Sequence, residues 1–458
     1  MVASRQTVLN TLRANAPLMR FLTLPMLAAA SALAAPGPVF ATQTLTGDWN
    51  GQRSALSARG LDLDALTGGT YQNIIAGGYR SEDGVLGASS LELRFDSARA
   101  GLWQGGQLRV RGEARYGDDV QSQFGGFLPL NVDSVMPHDP ARVGRNTAAL
   151  TEFMYTQTLM PSLQMFAGML NSDEGDDNPL AGNLRRRDRF MHTALLSSPV
   201  RMLLSPQTAL GFGFRMQPST GITGDIRVYD SQEAVGQRLF ERQDGISFAT
   251  EWTYQYNCFG RPGRHLVGLR YGFDHDYSLA GSESLRLLSV LAPIVPGTVD
   301  HTWATYYNVS QSIADWGNGR GWGVFGRLGY GDNEANPIDW NAAFGAVATG
   351  PLATRPHDAA GWGYFHVYQV DGPLMQHFAY DDEQGWEAWY NAEVTPWLHI
   401  TMNLQMIDSD IDRRHGGEAT PTIMPGGLGA SHEVPTDLIG RSASDISWVL
   451  GVRTAVRF

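Results

Sequence analysis

The sequence predicts an all-β protein: a sixteen-stranded antiparallel transmembrane β-barrel with a short N-terminal periplasmic helix. Three observations carry that expectation. Segments of about ten residues alternate apolar and polar side chains with period two, framed by aromatics. The connections between them are short and long by turns. The composition has 53 glycines and 10% aromatics, one cysteine and a net charge of −12. An acidic chain without the means for an internal disulfide fits a barrel wall better than a disulfide-stapled secreted domain, and it is a poor binder of nucleic acid. It contains no lysine, so every fixed positive charge is a guanidinium.

Residues 1–41 read as an export segment. Arg5, Arg13 and Arg20 precede the apolar run "FLTLPMLAAASALAA", and Val39–Ala41 offers a small-x-small cleavage site. A retained membrane anchor is the alternative, opposed by the shortness of the run and by Pro25 and Pro36. Residues 42–68 form a periplasmic segment. Within it "TGDWNGQRSALSARG" spells one helix, with Asp48 as cap, Trp49, Arg53 and Leu56 on one face, and Gly60 as its end.

The barrel then occupies 69–458. Strands are expected at 69–79, 89–97, 107–116, 151–159, 162–170, 207–216, 223–230, 245–254, 265–274, 303–312, 320–330, 339–348, 360–369, 386–394, 397–406 and 447–458. The last three show the alternation best. Trp448, Leu450, Val452, Val456 and Phe458 share one face, opposite Ser447, Gly451, Arg453 and Arg457. Leu398, Ile400, Met402, Leu404 and Met406 oppose Trp397, His399, Thr401, Asn403 and Gln405. Trp386, Ala388, Tyr390, Ala392 and Val394 oppose Glu387, Trp389, Asn391 and Glu393. Connections such as 160–161 and 395–396 are tight, whereas 117–150, 171–206, 275–302 and 407–446 are long and assigned to the outer face. Strand side chains alone do not fill a barrel of this width, so the fold implies an aqueous lumen.

Several separated motifs resemble the carbohydrate-selective porin family, the OprB family. They are "LTGDWNGQRSALSARGLDLD", the region "GVFGRLGYGDNEANPIDWNAAFGAVATGPLATRPHDAAGWGYF" with Arg355, Pro356 and Asp358, the hairpin "EAWYNAEVTPWLHITMNLQMI", and the terminal "WVLGVRTAVRF". The resemblance implies a sixteen-stranded outer-membrane channel through which sugars diffuse down their gradient. It also implies a helix seated at or inside the periplasmic mouth.

A path for neutral, hydroxyl-dense solutes needs donors, acceptors and flat apolar surfaces side by side. The candidates are Arg94, Arg109, Arg111, Glu113, Arg327, Glu387, Trp389, Glu393 and Arg453, all on inward faces. Glu92, Asp96, Arg115, Glu152, Arg215, Arg227, Glu251 and Arg270 face the same way. Arg109, Arg111 and Glu113 are expected to share one wall with Glu387, Trp389 and Glu393, the seam joining the first and last strands. Many such charges serve only to pair with each other and stiffen the wall. The long loops 171–206 and 407–446 are expected to set the constriction.

No catalytic residue, cofactor or metal is expected. The acidic runs Asp173–Asp177 and Ile407–Asp412 offer clustered oxygens but no EF-hand spacing. His138, His192, His357 and His432 lack the setting of a serine hydrolase, which leaves a barrel enzyme as the weaker reading. A general or anion-selective porin is the closer alternative. Expected partners are sugar solutes, outer-membrane lipid and lipopolysaccharide, and the barrel-assembly machinery through Phe458. The assembly is either a monomer or a homotrimer.

Overall fold

The computed structural model describes residues 42–124, 126–139, 146–235, 245–277, 299–370, 380–411, 419–424, 427–433 and 444–458. The expected export segment, 1–41, lies outside them, as does Asp412 at the end of the second acidic run.

Among the described residues sixteen strands close into one antiparallel barrel. They are β1 (Leu61–Gly78), β2 (Asp83–Asp96), β3 (Gly106–Gly117), β4 (Thr147–Met160), β5 (Leu163–Asn171), β6 (Thr208–Ser219), β7 (Ile222–Asp230) and β8 (Ile246–Cys258). The second half has β9 (Arg261–Tyr277), β10 (Val299–Gly317), β11 (Arg320–Gly331), β12 (Ile338–Thr349), β13 (Ala359–Gln369), β14 (Tyr380–Thr395) and β15 (Leu398–Ile411). A separate hairpin, β16 (Ala419–Met424) and β17 (Gly427–Glu433), precedes β18 (Ser444–Arg457), which pairs with both β15 and β1 and closes the ring.

Every expected strand is present, and several run past their expected ends. β1 starts at Leu61 rather than 69. The aspartates of "LDLD" looked like loop residues, but Asp62 faces the lumen and is held there by Arg99 at 2.5 Å. Polar alternation past the apolar band is still strand.

Burial is inverted relative to a water-soluble protein. Phe212 is 55% exposed and Phe344 52%, whereas Arg111, Arg270, Arg327 and Arg453 are among the most deeply buried side chains. Apolar groups face outward to the hydrocarbon and guanidiniums face inward. Connections sort by end as well. Residues 161–162, 220–221, 259–260, 318–319 and 396–397 make tight turns at one end, two of them built on left-handed pairs, Phe259–Gly260 and Asn318–Gly319. The long connections lie at the other end, interrupted by the short 79–82 and 332–337.

At the short-turn end, Asp358 of the Arg355–Asp358 turn accepts from Tyr390 Oη, from Arg355 and from the Glu393 N–H at 3.1 Å. One carboxylate thus ties the β12–β13 turn to β14. Helix α1 (Gln52–Ala58) sits at the same end. It starts at Gln52 rather than Asp48, because Trp49, Asn50 and Gly51 adopt left-handed backbone. Its N-cap is Gly51 rather than Asp48, whose carboxylate reaches in from three residues upstream and accepts from Ser54 N at 2.8 Å. Arg53 Nη2 donates to Leu63 O at 2.6 Å, and Arg99 Nη1 donates to Ser57 O at 2.9 Å. Gly60 has φ of +86°, and a Cβ there would lie 2.3 Å from Asp96 O. The helix is therefore pinned to β1 and the β2–β3 turn.

The barrel also contains a hydrophobic core of its own. The β3–β4 connection carries α2 (Gln121–Phe124), and the β5–β6 connection carries α3 (Thr193–Leu196) and α4 (Pro199–Leu204). Both connections fold back inside. Phe124, Phe127, Leu128, Leu130, Phe190, Leu195 and Val200 pack against the inward Ile74, Phe325, Phe365, Trp389 and Val449. The Phe190 ring stands edge-on to Phe325 at 5.5 Å and to Trp389 at 5.6 Å. Phe190→Ala should therefore cost about 3–5 kcal/mol of packing inside the barrel. Its thermal midpoint in detergent should fall while the heat-modifiable barrel band persists; an unchanged midpoint would show that this core does not hold the segments in place.

Candidate functional site: a lumen narrowed by two infolded segments

A chain segment inside a barrel brings backbone N–H and C=O groups away from water, and the wall must answer them. The answering groups are on β14, β15 and β18. Glu383 accepts from Phe127 N at 2.6 Å, and Glu387 accepts from Met191 N at 2.7 Å and His192 N at 2.9 Å. Gln405 Nε2 donates to Leu130 O at 3.0 Å, and Arg453 Nη2 donates to Asn131 Oδ1 at 2.7 Å. On β11, Arg327 donates to Gly182 O at 2.7 Å and Asp176 O at 3.1 Å.

These contacts revise part of the expected solute path. Arg327, Glu387, Trp389 and Arg453 do face inward, but each is covered by an infolded segment. They act as anchors. Nor do β3 and β14 share one wall, because β2, β1, β18 and β15 stand between them. Glu393, at the short-turn end of β14, gives its backbone N–H and C=O to Asp358 and Arg355.

On the other side of the lumen the expected residues do come together. Arg109 Nη2 meets Glu152 at 2.7 Å, and Arg111 Nη1 meets the other Glu152 oxygen at 2.8 Å. Arg111 Nε donates to Glu92 at 2.9 Å, and Glu92 also meets Arg94 at 3.3 Å. Cross-strand register sets this ladder: Arg94 faces Arg109, Glu92 faces Arg111, and Arg111 faces Glu152. Arg111 and Glu152 are almost fully buried, where an unpaired charge is strongly unfavourable, so they stiffen the wall.

The ladder continues into the infolded β5–β6 connection. Glu174 takes Arg109 at 3.1 Å, Arg111 at 3.0 Å and Arg185 at 2.9 Å. Arg185 in turn approaches Glu113 at 4.0 Å, and Arg187 meets Asp133 at 2.6 Å. Burial alone would raise the Glu174 carboxyl, but Arg109 and Arg111 outweigh it and hold the group below the usual carboxylate range. Its neighbour Asp173 has no such cation in contact. Burial, then the Glu113 charge, push it up to about 7, and Gln207 Nε2 donates to it at 2.8 Å.

Opposite Arg185 and Arg187 the wall is built from small residues. Gly68, Ala88, Ser90 and Ala455 line a gap of about 40 Å³ with these arginines, Glu113 and Asp133. That is room for only a few waters. The gap thus has mostly small residues, with Leu66, on the wall side and the Arg185 and Arg187 guanidiniums on the other. No strand periodicity marks Glu174, Arg185, Arg187 or Asp133 in the sequence; the expected constriction in 171–206 covers the first three, and no signal singles out Asp133.

The acidic run Asp173–Asp177 is dispersed rather than gathered. Asp173 takes Gln207, Glu174 takes three arginines, Asp176 takes Arg327 and Asn308, and Asp177 takes Arg264 at 3.1 Å. Its carboxylates therefore do not converge on one ion. His192 is buried, its Nδ1 accepting from Ala194 N at 3.3 Å and its ring stacked on Phe365. Burial pushes it down to about 3. It is a neutral ring that caps α3.

A family profile described as "Carbohydrate-selective porin, OprB family" matches residues 83–411. No curated protein sequence matches the chain. Among solved structures, the high-pH structure of Pseudomonas putida OprB superposes with a TM-score of 0.70 at 17% identity, covering 92% of this chain and 100% of that one. The low-pH structure of the same protein gives 0.54 at 16%, covering 91% and 99%.

Glu174 is the joint between wall and constriction. Because its carboxyl is held low, the joint is intact above the ordinary carboxylate range and fails only as pH drops through the lowered value. The contribution of Glu174 to ion selectivity should therefore stay constant from pH 7 to about pH 5 and be lost only below that, whereas protonation of Asp173 acts near pH 7. Glu174→Gln should shift the reversal potential in a KCl gradient toward chloride at pH 5 to 7, because Arg109, Arg111 and Arg185 lose their shared anion, and the difference from wild type should vanish at pH low enough to protonate Glu174. An unchanged potential would show that Glu174 is not part of the permeation path.

Proposed function

The chain belongs to the OprB family of carbohydrate-selective porins, and from that premise we propose how it lets sugars cross the outer membrane. The reaction is passive diffusion, with no chemical step. The solute enters among the long connections, passes between the Gly68–Ala88–Ser90–Ala455 wall and the Arg185–Arg187 side chains, and leaves at the short-turn, periplasmic mouth. Residues 1–41 serve export and α1 fits the periplasmic end. The observation that carries this reading is the side-by-side array of donors and acceptors where Arg185, Arg187, Glu113 and Asp133 converge opposite the small residues Gly68, Ala88, Ser90 and Ala455.

A sugar ring needs both features. Hydroxyls exchange water for guanidinium donors and carboxylate acceptors, and the flat ring slides along glycine, alanine and serine. Each of these groups already shares its charge with a protein partner, so each contact is weak enough to release the solute. Arg185 is held by Glu174 at 2.9 Å, with Glu92 and Glu113 at 4.0 Å, and Arg187 by Asp133 and the Leu184 carbonyl; both have several rotatable bonds, so the gap widens by side-chain rotation without moving the backbone.

Purified protein in liposomes should admit glucose faster than an isosmotic control sugar too large to enter. Ser90→Trp should reduce glucose entry at least about tenfold by filling the smooth side, while leaving the wall ladder and folded band intact. Glucose exclusion by the wild type would contradict the sugar-channel reading. Undiminished entry in Ser90→Trp would place the path elsewhere.

A further inference from the structure

We propose that the lumen beneath Glu174 holds a second solute site, which takes sugars that carry a carboxylate. This rests on the sugar-channel reading above and extends it to a charged class of solute. The site is a cavity of about 330 Å³ between Glu174 and the short-turn mouth, walled by β1 to β6. Ligand pockets typically span roughly 300–1,000 Å³.

Its charge runs against that of the chain. Arg94, Arg99, Arg109 and Arg215 line it against Asp62, Asp96 and Glu174, in a protein whose net charge is −12. Two of these arginines are committed: Arg99 to Asp62 at 2.5 Å, and Arg109 to Glu152 at 2.7 Å and Glu174 at 3.1 Å. The other two have donors to spare. Among the described residues Arg94 meets only Glu92 at ion-pair distance, through Nε at 3.3 Å, and its side chain is 53% exposed. The second Glu92 oxygen is already held by Arg111.

Arg215 forms no ion pair or hydrogen bond among the described residues. Its guanidinium lies 6.0 Å from the centre of the Phe166 ring. Asp225, its cross-strand neighbour, gives its two oxygens to Arg227, each at 2.8 Å. Arg94 stands on β2 and Arg215 on β6, so the two flank the cavity, with Gln107, Thr156 and Gln164 between them. Unused guanidinium forks suit a planar carboxylate, and the amides and hydroxyl suit sugar hydroxyls. A neutral hexose uses the second set and leaves the first facing water. A hexuronate uses both.

The test is block of ion current through single channels in planar bilayers. Glucuronate and glucose form a pair with matched rings, and acetate supplies a carboxylate without a ring. Glucuronate should half-block at a concentration about tenfold below that of glucose, the advantage of one charge-assisted contact. Acetate should not show that advantage. In the double variant Arg94→Gln, Arg215→Gln the ratio of glucuronate to glucose should fall to about one. In the wild type, raising KCl from 0.1 to 1 M should erode the glucuronate advantage and leave glucose block unchanged.

Equal block by glucuronate and glucose in the wild type, or acetate as effective as glucuronate, overturns the site. So does an advantage that survives in the double variant or is insensitive to salt. Glucose entry into liposomes separates the two readings. If glucose fails to enter, the sugar channel itself fails; if it enters without any glucuronate preference, only this site does.

Discussion

The structure depends on one requirement, that a segment folded into a barrel must have its backbone groups answered by the wall. Glu383 and Glu387 on β14 meet it for both infolded segments at once, one accepting from Phe127 and Leu128 and the other from Met191 and His192. Leaving one such buried N–H unanswered costs about 1–3 kcal/mol. Apolar contact then completes what the carboxylates begin, with Phe190 between Phe325 and Trp389. The interior is thus divided. One sector is packed like the core of a soluble domain, and the opposite sector stays lined with charge.

That division explains where the guanidiniums went. With no lysine in the chain, arginine alone supplies the positive charge, and it serves two different ends. Arg327 and Arg453 reach backbone carbonyls and a side-chain amide of the infolded segments, a task their forked geometry fits. Arg94, Arg109 and Arg111 build a ladder across β2, β3 and β4 whose acceptors are Glu92, Glu152 and the loop residue Glu174. The small residues of β1, β2 and β18 keep the gap beside that ladder open.

Period-two alternation made all sixteen barrel strands legible in the sequence, because lipid outside and water inside impose it on every strand. The inward direction of Arg109, Glu387 and Arg453 followed from the same rule. What an inward residue touches did not follow, since that depends on connections with no periodicity of their own. Trp389 read as a stacking face for solute and proved to be a packing face for Phe190. Glu174 and Arg185 lie in a loop expected to set the constriction, but their partners were not legible, and they join the wall ladder to the infolded segment. The helix after Asp48 was legible in place but not in cap, since three left-handed residues move its start to Gln52 and its cap to Gly51.

The central claim is that carboxylates on β14 hold the infolded segments and thereby set the width of the pore. The most direct measurement is single-channel conductance, with the size limit for oligosaccharide entry, of the double variant Glu383→Ala, Glu387→Ala beside the wild type. The account predicts a barrel that still folds, a larger and noisier conductance, and admission of longer oligosaccharides. A folded variant with wild-type conductance and the same size limit would contradict it.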